Sequence, residues 1–235
     1  MRFRYLRLGA ATIVGISLAA CGVINDATSI KLELPDKKFT ISADAWQVAQ
    51  PAADSFLAMP CDTATMACST LADTLCEANC SGACNAANTC DLSLDISLAQ
   101  PVNLVTDQPA LKTFSDQSTI RISVDSVTFD VRTNDLTVDT PVLTVYVAPM
   151  SVTLSSDPMA IEIGTVATVP AGQLTAGPEP IDLSEAGRAA LVKIMSSFKT
   201  PFNVLVGASI QHTEGELVPS GKLDAIVQIT GYAGV

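Results

Sequence analysis

The chain has 235 residues, with 13 Lys and Arg against 24 Asp and Glu, a formal net charge of −11, 48% apolar residues and only 5% aromatics. That length suits one sizeable domain, or a domain with a small appendage. The acidity disfavours a nucleic-acid partner or a broad basic patch on anionic lipid, because phosphate binding needs clustered Lys and Arg; it describes a soluble, self-repelling surface.

The first element is short and apolar. Arg2, Arg4 and Arg7 make a basic start, no acidic residue precedes Asp26, and Leu8 to Ala20 is broken only by Gly9, Thr12, Gly15 and Ser17. A basic head, an apolar centre and a small-residue end describe an export signal. The run falls well short of the ~20 residues of a stable spanning helix. It closes as Leu18-Ala19-Ala20-Cys21-Gly22. This resembles the lipobox of bacterial lipoproteins, in which a leucine, two small residues and a cysteine end the signal.

The resemblance covers the first 22 residues and implies a signal peptide over 1–20 and cleavage before Cys21. It further implies a diacylglycerol on the Cys21 sulfur, a palmitate-type acyl chain on the new amino group, and a tether over 21–28. Gly22 is not aspartate, which implies the outer membrane in bacteria that sort by this position. The alternative is an ordinary secretory signal with a chance cysteine. One acyl chain holds marginally, but two or three, at about 0.8 kcal/mol per buried CH₂, hold durably. No further membrane segment is needed, and none is visible in the sequence after Cys21.

Residues 29–60 read as N-terminal strands and a connector. "IKLEL" and "KFTI" alternate apolar and polar on either side of Pro35-Asp36, as half-buried strands do. "SADAWQVAQPAADSFLAMP" reads as a short amphipathic piece, with the only tryptophan, Trp46, as a buried anchor.

Residues 61–90 hold Cys61, Cys68, Cys76, Cys80, Cys84 and Cys90. An even number in an exported chain reads as three disulfides stapling a small insertion, with 15 connectivities open to six cysteines. The competing reading is a zinc site. Zinc sites favour close C-x₂-C pairs, often with histidine, and this segment has neither. A helix over Ser69 to Asn79, capped by Ser69 and ended by Gly82, would put Cys76, Cys80 and Cys84 on one face.

From residue 91 to 235 the pattern is a β-sandwich domain. Leu92, Leu94, Ile96 and Leu98 alternate on one face. Ile120, Ile122 and Val124 alternate, then the pattern resumes out of phase at Val127, Phe129 and Val131, the slip a β-bulge produces. "RTND" reads as a turn, "LTVDTPVLTVYVAPMSVTL" as one or two strands, and "AIEIGTVATVPAG" as another with Ile161 and Ile163 inward. A helix follows at 184–199, with Ser184 as cap, Glu185 in the first turn, Leu191, Ile194, Met195 and Phe198 at helical spacing, and Pro201 as a stop. "FNVLVGASIQ" and "KLDAIVQITGY" close the chain as strands joined by the hairpin loop "EGELVPSG". The fold expected is mainly β, an antiparallel sandwich with one real helix over an open end and a small disulfide-rich helical insertion.

Chemistry is sparse. His212 is the only histidine, so any Ser-His-Asp or Cys-His site must use it. It reads instead as a solvated strand-end residue, since no G-x-S-x-G nucleophile context or phosphate-cradling glycine loop occurs. A carboxylate pair survives as an option among 24 acids, without the aromatic platforms sugar sites usually carry. No catalytic residue, metal or cofactor is assigned. Two non-enzymatic classes remain: an envelope module that contacts a protein partner, which is preferred, and a binder of lipid or another apolar ligand. The second draws on a mean hydropathy of +0.37, equally natural for a dry core.

Overall fold

The computed structural model describes residues 29–62, 66–76 and 79–234. Cys21, the expected signal and the tether lie outside the described residues. Among the described residues eleven strands form two antiparallel sheets packed face to face.

In the first sheet β11 (Lys222–Gly234) is central. On one side it pairs with β1 (Ile30–Glu33) and β2 (Lys37–Ser42) end to end, and on the other with β5 (Arg121–Asn134), which carries the two-residue β8 (Glu179–Pro180). The second sheet runs β3 (Cys80–Cys84), β4 (Cys90–Val102), β10 (Phe202–His212), β6 (Leu143–Pro149), β7 (Ile161–Val166) and β9 (Asp182–Leu183). All pairs are antiparallel.

The alternation read from the sequence explains the core. Along β11, Leu223, Ala225, Val227, Ile229 and Ala233 are buried between half-exposed neighbours, and Leu92, Leu94 and Ile96 answer them from β4. Period-2 spacing sends one set of side chains to the inner face. Trp46 is buried, its indole N–H donating to the Asp95 carbonyl at 3.0 Å. The phase slip in β5 is a bulge: Ser126 faces Thr230 and Val124 faces Gly231, which leaves Asp125 as the extra residue.

Three sequence expectations are corrected here. "RTND" is not a turn. β5 continues to Asn134, helped by a second bulge at Arg132, and the buried Asn134 amide donates to the Pro170 and Gln173 carbonyls at 2.9 Å each. β10 and β11 do not form a hairpin; they lie in different sheets, and the 213–221 loop crosses between them. Ile161 does not point inward with Ile163. The β6–β7 register shifts between Val145 and Tyr146, leaving Ile163 unpaired and fully buried while Ile161 is 52% exposed. Of the one or two strands read in residues 136–154, one forms, β6; residues after Pro149 fold over the outer face of the second sheet, where Asn203 donates to the Met150 carbonyl at 3.1 Å and the Val152 carbonyl at 2.8 Å.

Four α-helices among the described residues accompany the sheets: α1 (Gln50–Leu57), α2 (Ala67–Leu75), α3 (Leu104–Asp107) and α4 (Glu185–Ser196). α4 is the helix expected from the sequence. The Ser184 hydroxyl accepts from the Gly187 N–H at 2.9 Å, and Leu191 and Met195 are buried. It lies against β5 of one sheet and β7 of the other, closing the side of the sandwich. Its approach to β7 is close, for a Cβ on Gly187 would stand 2.6 Å from the Ile163 carbonyl carbon and nearer still to that residue's oxygen and Cα. The Arg188 guanidinium donates to the Val124 carbonyl and ties the helix to β5.

The cysteine segment is half helix and half strand. Disulfides join Cys61 to Cys84, Cys68 to Cys90 and Cys76 to Cys80, with Cα separations of 5.8, 5.6 and 6.4 Å, all within the range disulfides adopt. Cys76, Cys80 and Cys84 therefore do not share a helix face. α2 starts at Ala67 with Met66 at the cap position, so Ser69 lies inside it, and Gly82 sits within β3 rather than ending the helix. Gly82 is needed where α2 and α1 press on β3: a Cβ there would meet the Cys68 carbonyl carbon at 2.9 Å and the Phe56 ring at 2.7 Å.

Candidate binding site

Two places hold the side chains that could support function. The first surrounds His212, which the sequence alone suggests is solvated. It is buried to 2% exposure, because the loop that follows does not turn back in the same sheet but folds over it. Gln50 at the start of α1 fastens that loop, accepting from the Val218 N–H at 2.6 Å and donating to the Glu216 carbonyl at 3.0 Å. The His212 Nδ1 lies 3.8 Å from a Glu216 carboxylate oxygen, which itself accepts from the Thr213 N–H at 3.0 Å, and the buried Nε2 has no hydrogen-bond partner among the described residues.

A carboxylate beside an imidazole is part of a nucleophile-activating set, but the set is incomplete here. The nearby Thr137 hydroxyl is engaged with Ser220, accepting its N–H at 3.0 Å, and the six cysteine sulfurs of the 61–90 segment are bonded to one another. The Sγ atoms of Cys61, Cys68 and Cys90 lie within 4.8 Å of each other. They belong to two disulfides packed side by side, and bonded sulfur offers a metal no thiolate.

The second place is an apolar groove of about 960 Å³ beside α4, within the size range of ligand clefts. One wall is α4, through Ala190, Ile194 and Lys193; the other is the 150–159 segment, through Met150 and Met159; Val147 and Ile161 form the floor. Met150, Met159 and Ile161 are 49%, 55% and 52% exposed. The wall is held in place by the Asn203 bonds and by the Ser155 N–H donating to the Ser97 hydroxyl at 2.8 Å. Helix and loop are separated in sequence, so no single segment carries the pattern. Ile161 and Ile194 are visible in the sequence as apolar residues, but Met150 stands in a stretch that reads as strand and Met159 between two such stretches.

Among the described residues no helix is long and apolar enough to cross a membrane. No protein-family model matches the chain, and no curated protein matches its sequence.

Proposed function

We propose that the protein is a lipid-anchored envelope lipoprotein, held at the outer membrane through Cys21, that works by contact and catalyses nothing. The groove beside α4 is its contact surface. The observation that carries the contact reading is the exposure of Met150, Met159 and Ile161 in one continuous depression. Grouped exposed apolar side chains mark interaction or ligand sites, and methionine adapts its shape to what it meets. The anchor rests on the Leu18-Ala19-Ala20-Cys21 sequence.

An envelope protein partner is one occupant of the groove; an apolar ligand is the second reading, favoured by the lining. The anchor is tested by detergent partitioning. Cys21→Ala should leave uncleaved or soluble protein, and unchanged partitioning would remove the anchor from the proposal. The surface is tested by Ile161→Asp, a change at an exposed side chain that should leave the fold intact while abolishing capture of whatever the wild-type protein retains from solubilised envelope. Equal capture would remove the groove from the proposal.

A further inference from the structure

The groove adjoins a second depression, of about 650 Å³, on the far side of Lys193 and Ser197, which line both. Arg121, Ile122 and Val192 form much of this second hollow. No acidic residue lines either one, in a chain with 24 of them. Among the described residues neither Arg121 nor Lys193 has a hydrogen-bonding or carboxylate partner, whereas Lys31, Lys37, Arg132 and Lys222 are each matched to an acid. Lys112 is likewise without a partner among those residues, so what distinguishes Arg121 and Lys193 is their place, both exposed at one hollow beside an apolar trough, which complements an anionic head on an apolar tail.

The groove suits hydrocarbon better than polypeptide. Pro149, Pro158 and Pro201 line it, and proline has no N–H to offer a peptide backbone. Its position points the same way. Ile30 pairs with Ala233, which pairs with Ile122, so the start of β1 stands two strands from the second hollow, about 10 Å at the usual strand spacing. The site lies at the end of the sandwich where the chain enters from residue 29.

We propose that the groove binds a single-chain anionic amphiphile drawn from the bilayer. The acyl chain lies between α4 and the 150–159 segment, and the head group lies between Lys193 and Arg121. This inference rests on the groove being the contact surface.

The test uses the full chain, purified from membranes and returned to phosphatidylcholine vesicles, with palmitate carrying a mid-chain diazirine as the probe and the matching alcohol as its uncharged counterpart. The expected result is saturable labelling confined to peptides spanning 147–161 and 190–201, competed by unlabelled palmitate and by lysophosphatidylglycerol. The acid should be preferred by about tenfold, the effect of one charge-assisted contact. Arg121→Glu with Lys193→Glu should erase that preference while the alcohol still labels, and Ile161→Asp should lose both. Labelling that spreads over the surface without saturating, or equal labelling by acid and alcohol, overturns the inference. If neither probe labels the groove but Ile161→Asp releases a protein captured by the wild type, the contact surface stands and the amphiphile falls. If Ile161→Asp changes nothing in either assay, both fall.

Discussion

Replacing Gly187 with alanine sets two effects of opposite sign against each other. Alanine is the better helix former, by at most about 1 kcal/mol. The added Cβ, however, would stand 2.6 Å from the Ile163 carbonyl carbon, whereas carbon atoms rest about 3.5–4.0 Å apart. The obstacle is main chain, so no rotamer change relieves it, and α4 must withdraw from β7 by roughly 1 Å. Withdrawal loosens Leu191 and Met195, both at 1% exposure or less. Overpacking of this kind costs about 1–3 kcal/mol, so the clash wins and Gly187→Ala should destabilise by roughly 1–2 kcal/mol. Ala189 lies on the exposed side of the same helix, so Ala189→Gly calibrates propensity alone and should cost up to about 1 kcal/mol. Equilibrium urea unfolding of both variants, with disulfides intact, reads the comparison. A Gly187→Ala protein as stable as wild type, alongside a weakened Ala189→Gly, would refute the close-packing argument.

Three further outcomes are expected. Ser184→Ala removes the hydroxyl that accepts the Gly187 N–H and should cost about 1 kcal/mol in urea unfolding, whereas Ser184→Asp should retain most of it. Removing the Cys68–Cys90 bridge, with a separation of 22, should cost about 3 kcal/mol by loop entropy; removing Cys76–Cys80, with a separation of 4, should cost about 2. The reverse order in paired double-alanine variants would contradict the loop argument. Hydroxyl hydrogen bonds from Thr40 at 2.6 Å and Thr133 at 2.8 Å hold the Asp224 carboxyl below the usual carboxylate range. A depressed folded-state pKa stabilises above the unfolded value near 3.9 and is lost as pH falls through the folded one. Unfolding measured from pH 5 down to pH 2 should therefore show a shallower acid limb in a Thr40→Val, Thr133→Val protein than in wild type.

The sheet strands, the bulge at Asp125 and helix α4 were legible because each is written in local periodicity. β11 alternates without interruption, β5 slips by one residue, and Ser184 precedes an apolar stripe. What was illegible depends on partners distant in sequence. His212 looked solvated because a strand followed by a polar loop and another strand reads as a hairpin; its burial follows from a change of sheet that local pattern does not encode. Cys76, Cys80 and Cys84 kept helical spacing, but the Cys76–Cys80 bridge spans a chain reversal from α2 into β3. The groove was hidden for the same reason. Met150 and Met159 come from a loop, Ile194 from a helix and Ile161 from a strand whose bulge reverses its facing.

The stapled segment also acts as an edge guard. A sheet border with free N–H and C=O groups is a template for another copy of the chain. The second sheet ends on one side in β9, two residues long, and on the other in β3, backed by α2 and fixed by Cys80 and Cys84. Were β3 to detach once the staples are reduced, the first five residues of β4, from Cys90 to Leu94, would be left with an unfilled ladder beside them. The Cys61–Cys84 and Cys76–Cys80 disulfides therefore do more than add stability: they keep the border of that sheet a short strand held in place.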